Sequence, residues 1–90
     1  MQDTRYLAPA HHVIRKFGGP DGKLSIGIKL VAQVTGANPT TVYRWMLPRE
    51  RGGTDGLIPV RQQKKLFEYA TENHLPLASA DFFDVAHEAA

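Results

Sequence analysis

Hydrophobic and polar residues alternate along one segment of the chain, LSIGIKLVAQV at positions 24–34. Every second residue from Leu24 to Val34 is apolar, and only Val31 breaks the alternation. A period of two is typical of a half-buried β-strand, whereas a period of 3.6 is typical of an amphipathic helix. The residues after this segment decide between the two structures.

Those residues, TGANP at 35–39, carry the signals for ending one helix and starting another. Gly36 suits the position after a helix end because it adopts a positive φ without steric cost. Asn38 is a strong N-cap residue, and Pro39 then takes the first helical position, where its missing N–H costs nothing. Since proline also disfavours the α conformation for Asn38, the first helix cannot simply continue. We therefore interpret 24–34 as a helix.

With a helical period, the apolar residues of this segment form one broad face, and Gly27 falls near the helix start, where glycine does least harm. The face consists of Leu24, Ile28, Val31, Ala32 and Thr35, broadened by Leu30 and Val34. The same reasoning predicts helices over 8–17, 39–47 and 59 to about 74, and a last short helical turn within 78–85. The helix that opens at Ile58-Pro59 carries on one side Val60, Gln63, Leu66, Phe67 and Ala70.

Proline and glycine predict loops at 18–22 and 48–56. We expect an all-α protein, a compact bundle of about five short helices. A chain of 90 residues is expected to form one domain, here 1–90 with its core at about 8–84.

The second helix of the pair, 39–47, has an inner and an outer face. Val42 and Trp45 are three residues apart and can point into the core, while the small Ala32 allows a close approach. Two helices joined by a short turn form the helix-turn-helix unit, whose second helix can enter the DNA major groove. Arginine can bind O6 and N7 of guanine, and threonine can contact base edges or the thymine methyl group. The outward candidates for this role are Thr40, Thr41, Tyr43 and Arg44.

Phosphate contacts are expected around these residues. Asn38 and the free amides at the start of the second helix would favour a phosphate. Further backbone contacts are expected from Lys23, Lys29, Arg49 and Arg51, of which the last two lie in the loop PRERGGTDG at 48–56.

The segment IKLVAQVTGANPTTVYRWML, 28–47, resembles the helix-turn-helix of Cro-like phage and bacterial repressors. The matching features are Ala32, the turn glycine Gly36 and the inward Val42 and Trp45. The run GLIPVRQQKKLFEYATENHLPLASADFF is similar to the segment that follows the motif in small Cro-like regulators, so the resemblance spans roughly 9–83.

This resemblance implies a lambda-repressor-like fold and sequence-specific binding of double-stranded DNA. It implies base-reading positions at Pro39, Thr40, Tyr43 and Arg44, and a phosphate-positioning turn at Asn38. The chain departs from the pattern at Pro39, where many relatives carry a polar reader. Thr40 and Arg44 are therefore expected to contribute more to the reading.

The net charge of +2 hides an uneven distribution. Residues 1–65 carry all 11 Lys and Arg side chains and four acidic ones, a net charge of +7. Residues 66–90 carry five acidic side chains and no Lys or Arg, a net charge of −5. Such asymmetry suggests one face built for a polyanion, although chance clustering on a solvated surface explains it equally well.

Other classes of function find little support. The absence of cysteine excludes disulfides and thiolate metal sites, and a reducing compartment such as the cytoplasm, near the nucleoid, is the simplest location. The four histidines lack partners at metal spacing, and the two serines lack a defensible His or Asp arrangement. We expect no metal, cofactor or small-molecule substrate, and no enzyme. No apolar run reaches the roughly 18 residues of a membrane helix.

Two alternatives stay open beside a DNA-binding regulator. One is a small helical protein-interaction module, and the other is an antitoxin that binds both DNA and a protein partner. A regulator of this type usually binds DNA as a dimer. Phe82 and Phe83, in the acidic last quarter, are expected to fill the core, and this quarter is also where a homodimer contact is sought.

Overall fold

The computed structural model describes residues 6–82, which are all-α. These residues contain no β-strand, so the helical interpretation of 24–34 is confirmed and the strand interpretation is wrong. The last predicted helical turn is a 3-10 turn. The described elements are α1 (Ala10–Lys16), α2 (Leu24–Thr35), α3 (Pro39–Arg44), α4 (Val60–Glu72) and 3-10 turns at Arg49–Arg51 and Ser79–Phe82.

Helix α3 is shorter than the predicted 39–47, because its hydrogen bonding tightens after Arg44. The amide of Trp45 donates to the carbonyl of Val42 at 3.1 Å, and that of Leu47 donates to Arg44 at 3.0 Å. Such three-residue spacing is the 3-10 pattern that often ends a helix. The six residues of α3 make a rod about 9 Å long.

Helix α2 lies at the centre of the fold, because α1, α3 and α4 each pack against it. Val42 and Trp45 are buried as predicted, with 0% and 3% of their surface exposed. The residues of the hydrophobic core are Ala10, Val13, Ile14, Phe17, Val31, Ala32, Val42, Trp45, Met46, Ile58, Leu66, Ala70 and Phe82.

Gly27 is the closest point between α1 and α2. A Cβ atom at this position would clash with the backbone carbonyl oxygen of Ile14. Backbone cannot yield as a flexible side chain does, so only glycine allows this approach. The expectation that Gly27 is merely tolerated near the helix start is therefore wrong: the residue is buried and sets the distance between two helices.

Helix α4 packs through only part of the predicted face. Leu66 and Ala70 are buried, but Val60 is 79% exposed and Phe67 is 39% exposed. The core-facing side includes Gln63, whose side-chain amide donates to the carbonyl of Ile58 at 2.7 Å. Because that side is centred on Leu66, the helical twist turns Val60 and Phe67 toward solvent.

The second 3-10 turn closes the bundle against α1. Phe82 is 3% exposed and belongs to the core, as expected, so it is not available as a dimer contact; Phe83 lies outside the described residues. Asp81 supports this packing, since its carboxylate lies 3.9 Å from Lys16 Nζ and 3.8 Å from His12 Nε2.

Trp45→Ala should lower the free energy of unfolding by about 3–5 kcal/mol, because it removes a large buried side chain from the contact between α3 and the core. Val60→Ala is the matched control, since Val60 is mostly exposed and its truncation leaves no cavity. Urea denaturation followed by circular dichroism measures both. A Trp45→Ala curve that overlays the parent curve would contradict the assigned core.

Candidate nucleic-acid interface

The turn between α2 and α3, residues 35–38, changes the direction of the chain. Its polar groups find hydrogen-bond partners within the turn and at the end of α2. Gly36 is left-handed with φ 80°, and its amide donates to the carbonyl of Ala32 at 2.9 Å. The hydroxyl of Thr35 donates to the carbonyl of Val31 at 2.8 Å and accepts from the amide of Ala37 at 3.3 Å. This turn, called the corner below, is thus held by its own backbone and by one buried threonine.

A cation from α4 also reaches the corner. Lys65 Nζ donates to the carbonyl of Thr35 at 3.3 Å, at the end of α2 where helix carbonyls lack partners. A positive charge is favourable there because it opposes the negative end of the helix dipole. No local sequence pattern indicates this contact, because it joins residues 30 positions apart.

Asn38 begins α3 as predicted. Its side-chain oxygen accepts from the amide of Thr41 at 3.0 Å, and Pro39 follows at the first helical position. This cap changes the expected phosphate site. Pro39 has no amide hydrogen and the amide of Thr41 is occupied, so of residues 39–41 only Thr40 keeps a free amide. The cap therefore leaves fewer free amides for a phosphate at this helix start than the sequence suggested.

The outward face of α3 carries the predicted base-reading side chains. Thr40, Thr41 and Arg44 are exposed, and within residues 6–82 the guanidinium of Arg44 has no hydrogen-bond or ion-pair partner. Residues 40 and 44 are one helical turn apart, so Thr40 and Arg44 lie on the same face. Arg44 can therefore meet a ligand without first breaking an internal contact.

Tyr43 is more constrained than its neighbours. It is 37% exposed, and its ring meets the ring of Tyr6 edge to face, with centroids 5.7 Å apart and planes at 77°. Such aromatic pairs prefer this geometry. Tyr6 thus lies beside α3, a contact that no pattern in the sequence indicates.

The predicted residues Lys29 and Pro39 are brought together in a shallow groove of about 380 Å³ beside the start of α3. The groove is also lined by Ala32, Gln33 and Ala37. Gln33 is exposed, and an amide side chain can pair with base or phosphate groups. Sequence reasoning passed over Gln33, although its position one turn after Lys29 on α2 was the available signal.

The loop 48–56 is folded onto the end of α3. The amide of Thr54 donates to the carbonyl of Arg44 at 3.3 Å, and that of Asp55 donates to Leu47 at 2.8 Å. Asp55 then closes the loop, because its carboxylate accepts from both the amide and Nε of Arg49 at 2.8 Å. The loop therefore sits next to Arg44, but Arg49 is already paired.

The charge division along the sequence does not become a division between two faces. Asp81, from the acidic last quarter, lies against Lys16 of α1. Arg15 donates to the carbonyl of Gly22 at 3.2 Å, and Arg49 pairs with Asp55. Close to α3, the predicted cations without a partner in the described part of the chain are Lys29, Arg44 and Arg51.

No protein-family model, curated protein or solved structure matches this chain. Within residues 6–82, no three His, Asp or Glu side chains gather as metal ligands. In the same residues, every helix is too short or too polar to cross a membrane.

Asn38→Ala should lower the free energy of unfolding by about 0.5–2 kcal/mol, because the amide of Thr41 loses its acceptor at the start of α3. Asn38→Asp is the matched control, since its carboxylate keeps an acceptor for that amide. Chemical denaturation compares the two variants with the parent. Equal stability of the alanine and aspartate variants would contradict a capping role.

Proposed function

We propose that this chain is a sequence-specific binder of double-stranded DNA that regulates transcription, with α3 entering the major groove. The observation that carries the proposal is that α3, which follows the hydrogen-bonded corner, has one buried face and one exposed face. Val42 and Trp45 are buried, while Thr40, Thr41 and Arg44 are exposed on a short rod. A rod of this kind, held at a fixed angle by a second helix, is what helix-turn-helix readout requires.

Arg44 and Thr40 are the proposed base readers. The major groove is about 12 Å wide and admits a helix, so α3 fits it along its whole length. Arg44 supplies two parallel N–H donors for O6 and N7 of one guanine, and Thr40, one turn earlier, contacts a neighbouring base edge or thymine methyl. Thr41 and Tyr43 lie on either side and contact the sugar–phosphate backbone.

Positioning on the duplex comes from charged and polar side chains at the two ends of α3. Lys29 and Gln33 lie beside its start, and Arg51 lies in the loop anchored at its end. Phosphate contacts of this kind fix the register without reading sequence. Arg49 contributes less because Asp55 neutralises it. A protein with this function acts in the cytoplasm, at the nucleoid.

A second candidate function is protein interaction, either alone or as an antitoxin that also binds DNA. Two observations favour it. The cations are spread over the molecule, and several large apolar side chains are exposed, including Val60 at 79% and Leu57 at 48%. Selection of tight binders from a random duplex pool separates a DNA-binding protein from a module that binds protein alone. One enriched motif supports DNA readout, and a pool that stays random overturns it.

Arg44→Ala should cost about 1–3 kcal/mol on the selected site while leaving binding to random duplex nearly unchanged. Arg44→Lys keeps the charge but loses the paired donors, so it should lose specific binding almost as fully. Arg15→Ala is the control, because it removes an equal charge from α1. Fluorescence anisotropy at fixed salt measures all four proteins. If Arg44→Lys discriminates between the duplexes as well as the parent, Arg44 is a phosphate contact and does not read a base.

The salt dependence of DNA binding should report how many cations without an internal partner contact phosphates. Two phosphate contacts, from Lys29 and Arg51, give a slope of about −2 for log K against log salt. Asp55→Asn should steepen that slope by about one, because it releases Arg49 while keeping an oxygen for the loop. Glu50→Gln removes the same charge from the same loop without releasing a cation. Identical slopes for the two variants would exclude Arg49 as a masked phosphate contact.

A further inference from the structure

Helix α4 exposes two large apolar side chains on its outward side. Val60 is 79% exposed, more than any other large hydrophobic residue in residues 6–82, and Phe67 lies two turns further along at 39%. Lys64 and Thr71 are exposed at the intervening and following turns. These four residues, called the α4 stripe, recur at i, i+4, i+7 and i+11, so they form one line along the helix.

Charged residues beside the α4 stripe change sign halfway along the helix. Arg61 and Lys64 lie in the first half, and Glu68 and Glu72 lie in the second. None of the four makes an ion pair within the described residues. Lys65 is directed elsewhere, to the carbonyl of Thr35. The exposed side of α4 therefore has an unpaired positive first half and an unpaired negative second half.

We propose that a second copy of this chain docks on the α4 stripe, with the two α4 helices antiparallel. In this arrangement a twofold axis runs perpendicular to the two helices, level with the midpoint between Lys65 and Leu66. The axis places Val60 opposite Thr71 of the second copy. It also brings Lys64 beside the second copy's Phe67, where the lysine stem can cover the ring.

Charge complementarity selects the antiparallel arrangement. Arg61 and Glu68 lie on the same flank of the α4 stripe, separated by two turns. The twofold axis keeps that flank on one side of the pair, so Arg61 of each copy meets Glu68 of the other. In a parallel arrangement the twofold axis would run along the helices and place this flank on opposite sides of the pair, so Arg61 of one copy could not meet Glu68 of the other.

The interface is small, which predicts a weak dimer. Helix α4 has 13 residues and is about 20 Å long. One helix pair of that length falls below the roughly 1,200 Å² of total buried area that stable complexes reach. The pair should therefore form at high protein concentration and be strengthened when both copies are held on one ligand.

Analytical ultracentrifugation of the full chain without DNA tests the proposal. The parent should associate reversibly as its concentration rises. Arg61→Glu alone and Glu68→Arg alone should each weaken the dimer roughly tenfold by placing like charges together, and the double variant should recover parental association. Val60→Lys should weaken association through the apolar contact, and because Val60 is exposed this change spares the fold.

Lys23→Glu is the control, because it reverses an exposed charge just before α2, outside the α4 stripe, and should leave association unchanged. A parent that stays monomeric at millimolar concentration overturns the proposal. The proposal is also overturned if the α4 variants change association no more than Lys23→Glu does. It is likewise overturned if the double variant does not recover parental association. Because DNA is absent throughout, none of these results bears on the proposed readout by α3.

Discussion

The corner after α2 is the constraint on which the outward face of α3 depends. Gly36 turns the chain in a left-handed conformation, and Asn38 starts the next helix within two residues. A longer connection would let α3 rotate, and its buried and exposed sides would exchange. Because Val42 and Trp45 must reach the core, the short corner leaves Thr40 and Arg44 no direction except outward. The position of the proposed readers is thus a consequence of core packing.

Local backbone chemistry explains why the corner could be predicted from the sequence. A positive φ at Gly36, a side-chain acceptor at Asn38 and a ring at Pro39 each act within a few residues, so their effect is visible in the pattern. The burial of Trp45 follows from the same register. The end of α3 was harder to predict, because it depends on a change of hydrogen-bond spacing that no single residue type indicates.

Tertiary contacts explain what the sequence could not supply. The role of Gly27 depends on the backbone of Ile14, and the pairing of Arg49 depends on how the 48–56 loop folds back. The charge division failed as a guide for the same reason, since Asp81 returns to α1. A hydrophobic pattern shows that α4 is amphipathic, but it does not show which of its apolar residues pack into the core. Val60 and Phe67 were therefore assigned to the wrong side.

The contact between Lys65 and Thr35 links the two proposals mechanically. It ties α4 to the end of α2, and the corner ties that same end to α3. Any pairing of two copies through α4 would then fix the distance and angle between their α3 helices. Helix-turn-helix dimers require such a fixed separation, because successive major grooves on one side of DNA lie about 34 Å apart. A helix whose inner face holds the core and whose outer face recruits a second copy would set that separation without a dedicated dimerisation domain.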